Sequence, residues 1–188
     1  MTSRLAEVYA IIDADLSDEP IALARRAVGA GCPMLQLRAK RLDDRSSIEL
    51  AVELRTVCKE AGAAFVINDR ADIARIVRAD GLHLGQLDLR VSDARKVVGD
   101  MRIGVSTHDL QQAAQAEREG ADLIAFGPVF ETKTKQNPDP VVGLERLAEL
   151  CRRARRPVVA IGGITPENAT ETLDAGARYV AVISALPS

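Results

Sequence analysis

The stretch FVINDRADIARIVRADGLHLGQLD, residues 65–88, contains two short apolar runs that each end beside a carboxylate. The first run leads into Asn68 and Asp69, and the second, around His83, leads towards Asp88. Apolar residues at helical spacing separate the runs, so the stretch predicts a strand, a polar turn, a helix, a second strand and a second turn. Neighbouring parallel strands would bring both aspartates to one edge of the sheet, where two acidic groups suggest a divalent metal ion.

The same alternation of short apolar runs and helix-like segments continues along the whole chain. The predicted strands end near residues 12, 37, 67, 84, 105, 126, 161 and 183, about one βα unit every 24 residues. Eight strands that alternate with helices predict an α/β protein, a parallel (β/α)8 TIM barrel, built as a single domain over residues 1–188. The alternative is an open doubly wound sheet, but the glycine-rich phosphate turn of that fold does not follow Ile12.

The predicted helix boundaries follow from capping residues and helix breakers. Ser92 is expected to cap the fourth helix, and Pro166 to open the seventh. Only residues 184–188 follow the eighth strand, so we expect the eighth helix to be missing. The groove between strands eight and one would then be open, or covered by a neighbouring subunit of a homo-oligomer. The loop from Val129 to Val142 is expected to be functional, because long irregular loops usually are.

Composition argues against several classes of protein. A net charge of −2 and an aromatic content of 3% do not favour nucleic-acid binding, which uses clustered cations and stacking platforms. No run approaches the roughly 18 apolar residues of a membrane span, and residues 1–7 lack a signal pattern, so we expect a cytoplasmic protein without membrane contact. Cys32, Cys58 and Cys151 suggest neither a disulfide framework nor a zinc site. Four arginines within 152–156 are interpreted as a solvated helix end, with a phosphate or RNA patch as the alternative.

Polar side chains collect where the predicted strands give way to the loops that follow them. In a parallel barrel these loops share one face, and active sites lie on that face. The polar residues and glycines expected there are Arg38, Lys40, Asn68, Asp69, Gln86, Asp88, Ser106, His108, Thr132, Thr134, Lys135, Gly162, Gly163 and Ser184. Cations, two carboxylates, hydroxyls and a glycine pair are the groups that hold Mg²⁺ and a polyphosphate.

Individual members of this set also have purely structural interpretations. Asp69 could cap the helix that begins at Arg70, and Arg38 could form a surface ion pair. His83 lies within a strand and is interpreted as a packed, hydrogen-bonded core histidine. His108 follows a strand end, and the sequence leaves it open between a helix-start residue and a site residue.

Seven motifs occur in order along the chain and extend this hypothesis. They are QLRAK at 36–40, INDR at 67–70, HLGQLD at 83–88, STH at 106–108, GPVFETKTK at 127–135, AIGGI at 160–164 and VIS at 182–184. The ordered series resembles that of the thiamine phosphate synthase family. The resemblance spans nearly the whole chain.

The resemblance implies that the chain joins 4-amino-2-methyl-5-hydroxymethylpyrimidine diphosphate to 4-methyl-5-(2-phosphoethyl)thiazole, or its carboxylated form, and releases diphosphate. It implies a Mg²⁺ ion bound by Asp69 and Asp88. The pyrimidine diphosphate would be held by Gln36, Leu37, Arg38, Ala39, Lys40, Asn68, Ser106 and Lys135, among which Arg38, Lys40, Ser106 and Lys135 would act in catalysis. The thiazole phosphate would be held by Thr132, Thr134, Gly163, Ile183 and Ser184, and Lys133 would also be a substrate-binding residue. The family's reaction is dissociative, so positioning and charge stabilisation replace a nucleophilic side chain.

Two departures from the family pattern and two alternative functions accompany this hypothesis. The family usually continues past strand eight into a last helix, and it often has proline soon after the position of Asp88, where this chain has Leu89. One alternative is an isomerase resembling thiazole tautomerase, with His108 as general base. The other is a non-catalytic barrel that binds a thiazole or thiamine phosphate. The intact pair of Asp69 and Asp88 favours the synthase.

Overall fold

The computed structural model describes residues 7–132 and 139–183 of the chain. Eight parallel strands lie in chain order around a closed barrel, and the last strand pairs with the first through Val180 and Val8. The strands are β1 Val8–Asp13, β2 Met34–Arg38, β3 Ala64–Asn68, β4 Gly81–Leu84, β5 Arg102–Thr107, β6 Leu123–Phe126, β7 Val158–Ala160 and β8 Tyr179–Val182. The predicted barrel is confirmed and the open sheet is excluded, because an open sheet leaves its edge strands unpaired.

Seven helices alternate with these strands in the described ranges. They are α1 Pro20–Gly29, α2 Asp44–Ala61, α3 Ala71–Val77, α4 Val91–Val98, α5 Leu110–Arg118, α6 Gly143–Arg153 and α7 Ala169–Asp174. None of these seven helices is both long and apolar enough to cross a membrane. The expectation that no eighth helix follows β8 concerns residues 184–188, which lie outside the described residues.

Capping explains where the longest helix begins and ends. The side chain of Asp43 accepts a hydrogen bond from the amide of Ser46 at 3.0 Å, which satisfies one of the free amides of the first turn of α2. Gly62 ends the helix with a φ of 70°, a conformation that glycine adopts without the steric penalty of a Cβ.

Two predicted helix starts are wrong. Arg90 holds the cap position of α4, so the hydroxyl of Ser92 lies inside the first turn and cannot cap it. Pro166 does not open α7, which begins at Ala169. Residues 166–168 form a turn that leads into the helix, in which the side chain of Asn168 accepts a hydrogen bond from the amide of Thr165 at 2.8 Å and the amide of Ala169 donates to the carbonyl oxygen of Thr165 at 2.9 Å.

Alternation along the strands sends side chains into two separate apolar layers. The layer inside the barrel consists of Tyr9, Ile11, Val66, Ala125, Val159 and Ala181. The layer between strands and helices includes Leu35, Leu37, Phe65, Ile67 and Leu82. Each fully buried side chain of this size contributes about 1.5–3 kcal/mol to folding. The last inward-facing positions, among them Asp13 and Arg38, therefore emerge at the mouth of the barrel.

Candidate active site

Arg38 and Asp13 form a pair at the carboxyl ends of β2 and β1. The two residues lie in register, and Nη1 of Arg38 donates a hydrogen bond to Oδ2 of Asp13. Asp13 is only 3% exposed, so its carboxylate needs a partner inside the protein. The apolar pattern predicts that the first strand ends at Ile12, so Asp13 is not among the predicted site residues. The sequence does indicate Asp13 as a site residue, because it is a carboxylate at the end of a strand, the same pattern that predicts Asp69.

Only some residues of the segment 36–40 face the barrel interior. The amide of Gln36 is buried and donates to the hydroxyl of Tyr9 at 2.6 Å. Leu37 and Ala39 pack on the opposite side, in the layer between the strands and the helices. A ligand in the barrel mouth would therefore meet the backbone of these two residues rather than their side chains.

The two carboxylates predicted as metal ligands lie side by side. Asp69 follows β3 with a φ of 63°, and its Oδ2 lies 3.0 Å from Nζ of Lys40. Burial raises the pKa of Asp69, and a hydrogen bond with the carboxyl group of Asp88 raises that pKa further. Oδ2 of Asp88 accepts a hydrogen bond from the amide of Gly85 at 2.6 Å. Asp69 does not cap α3, because Arg70 holds the cap position.

The donor groups at Asp69 and Asp88 fit magnesium. Carboxylate oxygens are the hard ligands that Mg²⁺ prefers, and a cation would relieve the repulsion between Asp69 and the adjacent carboxylate of Asp88 when both are ionised. Within residues 7–132 and 139–183, no group of three or more His, Cys, Asp or Glu side chains could hold a metal ion. A magnesium ion bound by this pair would therefore complete its shell with water and phosphate oxygens, as magnesium does with phosphorylated substrates.

His83 lies inside the barrel and is uncharged at neutral pH. It is 5% exposed, and burial lowers its pKa to about 4. Nε2 lies 2.9 Å from the hydroxyl of Ser106, and the ring meets that of Tyr9 edge-on with 6.4 Å between centroids. Gly104 leaves room for the imidazole, since a Cβ at position 104 would lie 2.8 Å from Nδ1. The interpretation of His83 as a packed, hydrogen-bonded histidine is confirmed.

Two predicted pyrimidine-binding residues, Asn68 and Ser106, lie on the strands that flank His83. Asn68 pairs in register with His83 across β3 and β4, and Ser106 lies on β5. The side chain of Gln86 donates to the carbonyl oxygen of Ser106 at 2.6 Å, which ties the loop after β4 to β5. The first five strands and their loops thus carry Gln36, Arg38, Lys40, Asn68, Asp69, Asp88 and Ser106 on one side of the barrel mouth.

The loops after β6 and β7 run closely against each other on the other side. The amide of Phe130 donates to the carbonyl oxygen of Gly162 at 3.1 Å. Gly163 has a φ of 66°, and a Cβ there would lie 2.4 Å from the carbonyl oxygen of Glu131. The side chain of Asn168, which the sequence analysis does not include, donates to the carbonyl oxygen of Gly163 at 2.9 Å. Only glycine fits position 163 without moving the adjacent loop.

Some residues predicted to hold the substrates fall outside the described part of the chain. Lys133, Thr134, Lys135 and Ser184 are among residues 133–138 and 184–188, so their roles stay predictions. Thr132 is the last described residue before the first of these gaps. Ile183 directly follows β8 and packs against the interior layer, on the side of the barrel that also holds Gly163.

His108 is held between two oxygen atoms. Nδ1 lies 2.6 Å from the carbonyl oxygen of Gly127, and Nε2 lies 3.4 Å from Oδ2 of Asp139. The backbone amide of His108 also donates to the side chain of Gln112. A ring with both nitrogens facing oxygen acceptors is suited to bridging β5 to the loop after β6, and this arrangement favours the structural interpretation over a general base.

A cavity of about 590 Å³ lies between the loop after β4 and helix α5. Asp88 and Gln86 belong to its wall, together with polar residues of α5 such as Gln112 and Gln115. The residues of the barrel interior, including Gln36 and His83, do not line it. The cavity is thus a side groove next to the carboxylate pair rather than the barrel mouth itself.

Comparison with known proteins agrees with this geometry. The family model described as thiamine monophosphate synthase matches residues 8–186. The chain is 45% identical over 186 residues to the thiamine-phosphate synthase of Methanocella arvoryzae, covering 97% of this chain and 87% of that protein. It is 41% identical over 181 residues to the thiamine-phosphate synthase of Chloroflexus aurantiacus, covering 95% of this chain and 84% of that protein.

A solved structure has the same fold as this chain. The thiamine phosphate pyrophosphorylase from Pyrococcus furiosus superimposes with a TM-score of 0.88 at 37% sequence identity. The superposition covers 96% of this chain and 86% of that chain.

Proposed function

Because the chain belongs to the thiamine monophosphate synthase family, we propose that its barrel mouth joins a pyrimidine diphosphate to a thiazole phosphate. The chain is an enzyme, a transferase that forms thiamine phosphate. The substrates that we propose are 4-amino-2-methyl-5-hydroxymethylpyrimidine diphosphate and 4-methyl-5-(2-phosphoethyl)thiazole. Diphosphate is the second product.

The observation that carries this assignment of substrates is the convergence of two cations and two carboxylates at one rim. Arg38 and Lys40 emerge from the end of β2, next to Asp69 and Asp88 from the ends of β3 and β4. A diphosphate is a polyanion, so it needs cationic donors, and its magnesium complex needs carboxylate oxygens. A site that binds only a phosphate monoester does not require both the cationic donors and the carboxylate pair.

We assign the residues the following roles in the reaction. Asp69 and Asp88 would hold Mg²⁺, which supplies positive charge to the departing diphosphate. Arg38 and Lys40 bind the phosphate oxygens and stabilise the negative charge that grows on them as the bond between the methylene carbon and oxygen breaks. The electron pair of that bond leaves with the diphosphate, and the thiazole nitrogen then donates its own pair to the methylene carbon. No side chain forms a covalent bond in this sequence.

The barrel interior supports a reaction in which the pyrimidine becomes cationic. His83 is neutral at physiological pH, and its neighbour Tyr9 keeps its proton because burial raises the pKa of the phenol. The amide side chain of Gln36 does not ionise. A charged imidazole below the rim would repel the developing cation, whereas this uncharged polar interior orients the ring without opposing it.

The thiazole phosphate is assigned to the side of the mouth at the carboxyl ends of β6, β7 and β8. The supporting features are the glycine pair, where positive φ values at Gly162 and Gly163 shape a tight turn, and Ile183 next to it. The last loops of (β/α)8 barrels commonly bind phosphate monoesters through backbone amides. The two substrates would then approach each other across the barrel mouth.

The test is an assay of diphosphate and thiamine phosphate in which each component is omitted in turn. We expect thiamine phosphate, separated by chromatography, only when the pyrimidine diphosphate, the thiazole phosphate and Mg²⁺ are all present. Undiminished product after treatment with a chelator would refute the role of magnesium. Tight binding of the thiazole phosphate without any product would refute the proposed substrates.

A further inference from the structure

Asp13 is a buried carboxylate that stands beside a site for a polyanion. Its Oδ2 accepts a hydrogen bond from Nη1 of Arg38, and its Oδ1 accepts one from the amide of Asp15 at 3.0 Å. Both oxygens are thus occupied, and the side chain is 1% exposed. A negative charge placed near a diphosphate site weakens binding unless it does something else for that site.

The contacts of Asp13 leave most of the guanidinium of Arg38 available. Arginine carries five N–H donors in a planar fork, and the contact with Asp13 uses Nη1. The side chain of Arg38 is 29% exposed at the barrel mouth, so the remaining donors of its guanidinium can reach a ligand there. A carboxylate fixed on one side of the fork sets the direction in which the other donors point, which is how arginine achieves bidentate recognition of phosphate.

The backbone around the pair is fixed as well. The amide of Ala14 donates to the carbonyl oxygen of Arg38 at 2.8 Å, and the side chain of Asp15 accepts from the amide of Arg41 at 3.2 Å. The loop after β1 is therefore attached to Arg38 at the end of β2 and to the following loop, which carries Lys40. Asp13 lies next to this attachment, where its side chain contacts Arg38 at the end of β2 and the amide of Asp15 in the loop after β1.

We propose that Asp13 is a positioning residue for the proposed reaction, one that orients Arg38 towards the diphosphate of the pyrimidine substrate. This inference rests on the proposed function. Asp13 does not touch the substrate. It reduces the freedom of the arginine side chain before binding, so that less entropy is lost when the diphosphate is bound.

The first test is a double-mutant cycle on the binding of inorganic diphosphate with Mg²⁺, measured by calorimetry. Asp13→Asn has the same size and keeps an acceptor for the amide of Asp15, but it removes the charge that holds Arg38. We expect Asp13→Asn to weaken binding about tenfold in the wild type and to have almost no effect in the Arg38→Ala background. Additive losses in the two backgrounds would overturn the inference.

A control variant separates the arginine from the loop attachment. Asp15→Ala removes the contact with Arg41 and leaves the pair of Asp13 and Arg38 in place. We expect this variant to bind diphosphate within about twofold of the wild type. A loss of diphosphate affinity as large as that in Asp13→Asn would mean that the attachment of the loops, rather than the orientation of the guanidinium, determines binding. This result would also overturn the inference.

Chemical rescue keeps the test decisive even if Asp13→Asn does not fold. In Arg38→Ala, with Asp13 intact, added guanidinium at concentrations far below those that unfold proteins should restore diphosphate binding, whereas ammonium should not. Equal rescue by both cations would overturn the role of Asp13.

Steady-state kinetics give a further readout. Asp13→Asn should raise the KM for the pyrimidine diphosphate and leave that for the thiazole phosphate unchanged, and a rise in both would count against the inference. Failure of the wild type to bind diphosphate at all is a distinct outcome, because it would refute the proposed function.

Discussion

Nζ of Lys40 lies 3.0 Å from Oδ2 of Asp69, so a cation of the chain itself neutralises one of the two carboxylates that we propose as magnesium ligands. The side chain of Lys40 is 49% exposed and that of Asp69 is 20% exposed. An ion pair of this exposure is weak enough for a divalent cation to replace. Magnesium that binds at Asp69 would thus release Lys40, which then becomes available to the diphosphate.

Replacing Lys40 should have opposite effects on the metal and on the reaction. We expect Lys40→Gln to bind Mn²⁺, as a probe for magnesium, a few-fold more tightly in the absence of diphosphate, because the competing cation is gone. Turnover should fall at least tenfold, since a donor to the diphosphate is lost. Electron paramagnetic resonance of free Mn²⁺ measures the first effect. Lys96→Gln is the matched control, because Lys96 pairs with Asp93 instead. Weaker Mn²⁺ binding in Lys40→Gln would contradict this account.

Asp69→Asn should abolish diphosphate release and leave the fold intact. Asp69 has a φ of 63°, and asparagine is among the few residues that accept this conformation readily. The loss of one carboxylate removes charge from the metal site without touching the apolar layers. Release of diphosphate and the thermal unfolding midpoint should be measured on the same sample. An unchanged midpoint with undiminished release would remove Asp69 from the metal site.

The buried imidazole of His83 should make the protein less stable as the pH falls. Its pKa is about 4 in the folded state and about 6.5 in the unfolded chain. Between these values the unfolded chain binds a proton that the folded protein does not, so acid favours unfolding. The contribution is fully present above about pH 6.5 and has been lost by about pH 4, and it amounts to about 3 kcal/mol.

Urea unfolding at several pH values measures this loss. His83→Gln should flatten the decline, since glutamine can still reach the hydroxyl of Ser106 but binds no proton. His108→Gln is the control, because it removes the chain's other imidazole from a partly exposed position. An unchanged pH dependence in His83→Gln would show that acid sensitivity has another source.

Gly163→Ala should cost more stability than the same change at another glycine of similar backbone conformation. Gly62 has a φ of 70° with no atom within 4 Å of a Cβ built there, so Gly62→Ala introduces backbone strain of about 1 kcal/mol and nothing more. At Gly163 the new Cβ would also lie 2.4 Å from the carbonyl oxygen of Glu131, which forces the loop after β6 to move.

We expect Gly163→Ala to lose at least about 1 kcal/mol more than Gly62→Ala in urea unfolding. The KM for the thiazole phosphate should rise in Gly163→Ala alone. Equal losses of stability in the two variants would mean that the loops after β6 and β7 adapt to each other freely.

The barrel, and the collection of polar side chains at its mouth, were predictable because both depend on periodicity. Alternating apolar runs locate the eight strands, and the rule that active sites lie at the carboxyl ends of parallel strands selects Arg38, Lys40, Asp69 and Asp88. Periodicity does not show which side chains form hydrogen bonds with each other. Asp13 and Asn168 act through partners that are distant in sequence or across a turn, so only the folded structure reveals them.

The residues that precede each helix explain why the predicted starts of α4 and α7 are wrong. Ser92 and Pro166 are both common at helix starts, but Arg90 holds the cap position in one case and residues 166–168 form a turn in the other. Propensity describes an isolated segment, whereas the loop that precedes a helix decides where its first turn can form.

The pairing of Val8 with Val180 also affects when, during folding, the enzyme can become active. Contacts between the first and last strands require the ends of almost the whole chain to meet, which is entropically costly and slow. Ile183 directly follows β8, so the side of the mouth assigned to the thiazole phosphate takes shape only when β8 reaches β1. A chain that is still being synthesised, or that has folded only its first strands, can present the diphosphate side but has no complete acceptor side. Catalytic activity should therefore report closure of the barrel rather than the formation of its first strands.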